Sequence, residues 1–333
     1  MKKFFIPIVA IFMAGALSAE THSTKGYQGY VALASKAQIY VDWTYAQPGK
    51  PTVILINGLT YSTEQWKKMA EALVAEGLGV FRYDPQNMGK TLTKAGPALE
   101  KMPIESQVAD LKELLTQLSV PKPYNLVGLS YGGGLSIYYA ATYPKDMGKL
   151  IPIAPYTEPI RSQDEWIRSQ IWFNRKTVPW NQSSDDELYD FFLHQMVYAV
   201  YPSAEPIVLS NPYMLEATFR LAQGIRHFRA ADVVHQLPDH ALNLIIAGRD
   251  QYVTRETMED FWKVLPDRKQ GSRIILQNSE HKVPEAAPHF AAALVEQILE
   301  NDRLFSGGRS FEADPWTGVL KYEGGSLKLP REN

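Results

Sequence analysis

Short, nearly continuous apolar runs recur along this chain. Between them lie longer stretches in which apolar residues return every three or four positions. Thr52-Val53-Ile54-Leu55-Ile56 is such a run, preceded by a Pro- and Gly-containing turn at 46–51 and ended by Asn57-Gly58. A run of this kind suits a parallel strand buried on both faces. Residues 79–83, 124–129, 149–154, 241–247 and 272–276 repeat the pattern. Residues 28–34 and 37–44 read as two further strands, the second rich in β-branched and aromatic side chains.

The intervening stretches have helical spacing. Trp66, Met69, Ala70 and Leu73 place a helix over 64–76; Val108, Leu111, Leu114, Leu115 and Leu118 place another over 103–118. Residues 131–143, 254–264 and 284–299 complete the set. Strands alternating with helices of this length imply βαβ units around a mostly parallel sheet flanked by helices, an α/β fold.

The alternation breaks over 155–238. This stretch holds Trp166, Trp172, Trp180, Phe191, Phe192, Tyr198 and Tyr201 among polar, helical-looking segments, and nothing in it reads as a buried strand. It predicts a mainly helical insertion. Its aromatics have two uses open to them: lining a pocket, or forming the insertion's own core. The core domain is thus 20–154 joined to 239–300. Residues 301–333 form a C-terminal tail without clear periodicity, expected to wrap the surface or lack order.

At the N-terminus, Met1-Lys2-Lys3 precedes an apolar stretch from Phe4 to Leu17, then Ser18-Ala19. This is the pattern of a bacterial-type signal peptide, 1–19, cut after Ala19 or one residue earlier. The stretch is short against the roughly 20 residues a membrane crossing needs. The expected location is the periplasm or the medium, with no stable membrane insertion after cleavage.

Composition narrows the chemistry. The 333 residues carry a formal net charge of −2 without a basic block, so nucleic acid is not an expected partner. No cysteine is present, which removes disulfides, thiolate metal sites and a cysteine nucleophile.

One motif stands out. Gly128-Leu129-Ser130-Tyr131-Gly132 follows an apolar strand and opens a helix of small residues. A serine on a tight strand–turn–helix elbow has a strained backbone and presents its hydroxyl to a cleft; the flanking glycines leave room for close packing. Over 28–154 and 238–300 the chain resembles the α/β-hydrolase superfamily. The resemblance implies the chain order nucleophile, acid, histidine, and a catalytic triad of Ser130, Asp250 and His281. Asp250 follows the strand at 241–247 in Gly248-Arg249-Asp250; Glu256 and Asp239 are the weaker choices. Of the seven histidines, His281 sits in the loop between the last strand and the helix opening near Pro284; His289 is the alternative.

The oxyanion donors implied are the backbone N–H groups of Leu59 and Tyr131, with Asn57 and Gly58 supporting the loop. Two departures matter. Asn57-Gly58 stands where relatives often carry His-Gly. Asp84-Pro85-Gln86-Asn87-Met88-Gly89 lacks the Arg-Gly of the corresponding family loop, and Asp84 reads as a turn former. The insertion is expected to cap the cleft. Arg161, Arg168 and Arg175 within it read as a solvated face.

The function expected is that of an exported serine hydrolase cleaving a carboxylic ester through an acyl-enzyme, with no metal or organic cofactor. The substrate would be a small-molecule ester or a short acyl or peptidyl compound. A proline-iminopeptidase-like peptidase or amidase is the alternative, and a noncatalytic binding protein on the same fold is the non-enzymatic one.

Overall fold

The computed structural model describes residues 26–332. The leader expected at 1–19 lies outside the described residues. Among the described residues, no helix is long and apolar enough to cross a membrane.

The eleven strands among the described residues form one sheet in the order β1-β2-β4-β3-β5-β6-β7-β8-β9-β10-β11. β1 (Gly26–Ala32) and β2 (Gln38–Thr44) form an antiparallel hairpin on one side. β3 (Thr52–Ile56) leads through α1 (Lys67–Ala75) to β4 (Gly79–Asp84). A short α2 (Gly89–Ala95) and a longer α3 (Ile104–Gln117) precede β5 (Tyr124–Leu129). α4 (Tyr131–Thr142) then leads to β6 (Met147–Ile153). From β4 across β3, β5, β6, β7 and β8 to β9 every pairing is parallel.

Alternate residues of each central strand serve opposite faces, because side chains alternate along a strand. Ile54, Ile56 and Leu126 pack with Leu111, Leu115 and Leu135 of α3 and α4. Val53, Leu55 and Val127 pack on the other face with Leu73, Leu294 and Ile298. Both faces are covered, which is why these strands read as unbroken apolar runs.

Residues 155–238 hold helices and no strand: α5 (Arg161–Thr177), α6 (Asp185–Ala199), α7 (Tyr201–Ala204) and α8 (Met214–Ile225), with short 3₁₀ turns. α6 opens with a capping box, in which Ser184 and Glu187 satisfy each other's backbone N–H. The aromatics divide: Phe192 and Tyr201 pack on the insertion's core and Trp166 lines a cavity, as expected, whereas Trp172, Trp180, Phe191 and Tyr198 are exposed. The insertion's core is largely aliphatic, built from Ile167, Leu193, Met196 and Val197 with Phe219. Trp172 and Trp180 are 64% and 76% exposed, and Phe191 faces solvent as well. The reason is register: α5 and α6 meet along a seam set by Ile167 and Leu193, and Trp172 and Phe191 fall outside it.

β7 (Leu242–Ala247), α9 (Arg255–Val264) and β8 (Gln270–Leu276) resume the alternation. The last predicted helix is two: α10 (Val283–Ala286) and α11 (Pro288–Glu300), divided where Pro288 cannot continue the first.

The tail differs from expectation. β9 (Arg309–Asp314) pairs parallel with β8, and β10 (Val319–Tyr322) and β11 (Gly325–Lys328) extend the sheet as an antiparallel meander. Phe311, Ala313 and Leu320 enter the core, so the core domain does not end at residue 300. Alternation over such short strands is too brief to read from sequence.

Candidate active site

Four loops leave the carboxyl ends of parallel strands on one rim of the sheet: after Ile56, Leu129, Ala247 and Leu276. Ligands bind at this rim in parallel α/β sheets. The candidate residues lie on these four loops.

Ser130 occupies the turn between β5 and α4 with φ 52° and ψ −114°. For a residue with a Cβ this costs on the order of 1–3 kcal/mol. The surroundings hold it there. Its N–H donates to the Ile153 carbonyl at 3.0 Å, and its carbonyl accepts from Gly134 at 3.0 Å and Tyr156 at 2.8 Å. A Cβ on Gly128 would collide with the Gly132 carbonyl, and one on Gly132 with that of Ile56. The two glycines therefore let α4 start directly against β3 and β5.

Asp250 sits in a tight turn beyond β7. One carboxylate oxygen accepts from the N–H groups of Tyr252 at 2.8 Å and Val253 at 3.0 Å. The other lies 2.6 Å from Nδ1 of His281. The carboxylate is fully buried and the imidazole 15% exposed. A carboxylate can only accept here, so Nδ1 carries the hydrogen and Nε2 is left as the basic nitrogen. The Tyr252 ring packs edge-on against the imidazole, with centroids 5.4 Å apart.

Ser130, His281, Leu59 and Tyr131 all line one cavity of about 340 Å³, a volume suited to a small organic ligand. Tyr131 supplies the first N–H of α4, which has no acceptor within the helix. Neither it nor the Leu59 N–H donates to a backbone carbonyl among the described residues.

Asn57 is buried and braces its loop: Nδ2 donates to the Tyr83 carbonyl and to Asp84, both at 3.1 Å, and its oxygen accepts from the Trp66 indole at 3.0 Å. The Gly58 N–H donates to Gln65 at 3.0 Å. Asp84 is a turn organiser, accepting from the backbone of Thr63 at 2.6 Å and Lys90 at 2.8 Å. Burial raises its pKa, and these hydrogen bonds oppose the rise. The variant loop Asn87-Met88-Gly89 serves this carboxylate, since a Cβ on Gly89, at φ +50°, would strike it.

On the wall of the same cavity as Ser130 and His281 stands a cluster that the sequence left unmarked. Glu205, from the insertion, accepts from Lys282 at 2.9 Å and Tyr61 at 3.1 Å. Burial pushes the Tyr61 phenol up to about 12. Burial opposes the charge on Lys282, but hydrogen bonds with Tyr61 and Glu205 outweigh it and raise its pKa. Lys282 adjoins His281 in sequence, yet its partner lies 77 positions away in a segment whose packing cannot be read locally. The three arginines weighed earlier are paired: Arg161 with Glu158 and Asp260, Arg168 with Asp164, Arg175 with Asp185.

Residues 51–197 match the family described as alpha/beta hydrolase fold. The human monoacylglycerol lipase ABHD6 is 30% identical over 112 residues, which is 33% of this chain and 32% of that protein. The match thus spans about a third of the length of that relative. MGS-M2, an alpha/beta hydrolase enzyme from a Medee basin deep-sea metagenome library, superposes with a TM-score of 0.60 at 19% identity, over 80% of this chain and 95% of that one. A thermophilic esterase from Thermogutta terrifontis gives 0.57 at 17% identity, over 84% and 99%. At these identities the likeness of the solved structures is one of fold. The matched segment carries the elbow and the Asn57 loop, and Asp250 and His281 lie beyond it. With its parallel sheet, serine elbow and helical insertion, the chain has the α/β-hydrolase fold, and its residues 51–197 are similar to the family of that name.

Proposed function

We propose that this protein is an exported serine hydrolase that cleaves a carboxylic ester through an acyl-enzyme. The observation that carries the reading is the strained Ser130, which faces the same cavity as an imidazole whose Nδ1 is held by the buried Asp250.

A serine hydroxyl is a weak nucleophile until a base takes its proton. His281 Nε2 takes the proton from Ser130 Oγ as the oxygen attacks the ester carbonyl. Asp250 holds the tautomer and stabilises the imidazolium. The carbonyl π pair moves to oxygen, and the N–H groups of Leu59 and Tyr131 receive that charge. Collapse expels the alcohol, which takes the proton from His281. Water, deprotonated by the same nitrogen, then attacks the acyl-enzyme; Ser130 Oγ departs with the proton returned by His281, and the acid is released. Every step uses this chain's own groups and water.

The cavity favours an ester with an apolar acyl part. Trp166, Ile167, Leu193 and Met196 line it from the insertion. The relatives named as a lipase and an esterase agree with this reading. Among the described residues, the carboxylates lining the cavity besides the triad are already engaged, Asp164 with Arg168 and Tyr189, Glu205 with Lys282. That leaves no free anion for a peptide's terminal ammonium. Export rests on the N-terminal pattern of residues 1–19; amino-terminal sequencing of protein recovered from the periplasm should begin at Glu20 or Ala19.

The test is a panel of p-nitrophenyl esters of rising acyl length beside aminoacyl arylamides, with wild type and Ser130→Ala. Ester turnover that Ser130→Ala abolishes supports the reading. Preference for the arylamides would make the protein a peptidase. No turnover of any substrate would favour the binding-protein reading.

A further inference from the structure

We propose that the C-terminal meander is a brace for the loop carrying the catalytic base, with Asp314 and Trp316 as positioning residues acting on His281 through Asn278. The proposal rests on the assignment of His281 above.

β8 ends at Leu276, and His281 follows within a loop. Without β9, β8 would be the edge of the sheet and the loop would leave an unsupported strand. β9 runs along it with Ala313 opposite Leu276. The pairing continues past the strand end, where the Gln277 N–H donates to the Ala313 carbonyl at 2.9 Å.

The turn after β9 then grips the next residue. One oxygen of Asp314 accepts from the Trp316 N–H at 3.0 Å, which shapes the turn, and the other accepts from Asn278 Nδ2 at 3.1 Å. The Trp316 indole donates to the Asn278 carbonyl at 3.5 Å, a long and weak bond. Asn278 is thus held by its side chain and by its backbone.

The opposite side of the loop is tied to the acid. The Arg249 N–H, beside Asp250, donates to the Ser279 carbonyl at 2.9 Å. The base loop therefore lies between the acid loop and the C-terminal turn.

The segment that follows β11 also reaches the helix beyond His281. Glu332, its side chain 8% exposed, accepts from the Phe290 N–H at 2.8 Å and lies 3.1 Å from His289 Nδ1. It supplies the cap that the sequence at the start of α11 lacks. Phe311, Ala313 and Leu320 anchor the meander in the core. Both flanks of His281 are thereby fastened to the C-terminal segment. A catalytic group needs such support, because its productive position is defined to about 0.5 Å.

The experiment compares wild type, Asp314→Ala, Trp316→Phe and, as a control on the exposed outer part of the meander, Lys321→Ala. Rates are expressed per site labelled by a fluorophosphonate probe, and thermal unfolding is followed in parallel. Misplacement of the base should lower kcat and the rate of labelling together, by about tenfold for Asp314→Ala and about threefold for Trp316→Phe, with KM within about twofold. Lys321→Ala should match wild type. If Asp314→Ala does not fold, Asn278→Ala breaks the same bond from the loop side and is held to the same figures. A folded variant of either kind with kcat and labelling within about twofold of wild type overturns the brace. Ser130→Ala separates the two readings: if it keeps wild-type turnover, the triad assignment fails, whereas if it is inactive and Asp314→Ala is normal, only the brace fails.

Discussion

The rim of the sheet and the cap above it face the same cavity but are built differently. On the rim, backbone groups hold two of the proposed catalytic residues: Ser130 through main-chain bonds with Ile153, Gly134 and Tyr156, and the Asp250 carboxylate through the N–H groups of Tyr252 and Val253. In the cap, an aliphatic seam joins helices whose largest rings face solvent. Proton transfer between an imidazole and a hydroxyl tolerates little displacement. A wall that only excludes water and accepts an apolar chain tolerates more. Positional precision is concentrated where the proposed mechanism breaks bonds, and the cap supplies apolar surface.

Substitutions can break this contrast or sharpen it. The largest effect should come from the rim: His281→Ala should lower kcat by about 10⁴-fold with little change in KM, read from steady-state ester hydrolysis. Next is Gly132→Ala, whose methyl group meets the Ile56 carbonyl. It should destabilise the protein by about 3 kcal/mol or more, seen in urea unfolding or in loss of soluble protein. In the cap, Ile167→Ala should raise KM for long acyl esters about fivefold and leave kcat within about twofold. A fall in kcat as deep as that of a rim variant would erase the contrast.

Two smaller effects lie outside the contrast or at its outer surface. Asp146 accepts from Lys112 and Lys122 far from the cavity. Burial opposes its charge, but these two bonds prevail and hold its pKa below the ordinary value. The stabilisation is therefore present above the ordinary aspartate range and is lost as pH falls through the lowered value. Asp146→Asn should cost less than about 1 kcal/mol at neutral pH, as partly exposed ion pairs do, and the deficit should vanish in acid. Trp180→Ala, at an exposed ring, should change unfolding free energy by less than about 0.5 kcal/mol.

Much of the rim was legible in the sequence because its signals are local. A buried parallel strand leaves an apolar run, and an elbow leaves glycines on either side of a serine. Chain order then directed attention to Asp250 and His281, which the fold brings into contact. The cap was legible only as helical. Which of Ile167 or Trp172 faces inward depends on how α5 meets α6, and a helix's own residues do not specify that. Glu205 escaped notice because its partners, Tyr61 and Lys282, come from two separate loops distant in sequence. The C-terminal strands escaped because each is short, so two or three inward residues such as Phe311 and Ala313 do not establish a period. Their stability comes from a neighbour, β8, that sequence reading does not place beside them.

The central claim is that Ser130 is the nucleophile. Its most direct test is reaction of the purified protein with a fluorophosphonate, followed by intact-mass measurement and peptide mapping. The account predicts a single adduct on Ser130, absent from Ser130→Ala and formed far more slowly in His281→Ala. An adduct at another residue, or undiminished ester turnover in protein whose Ser130 is fully modified, would contradict it.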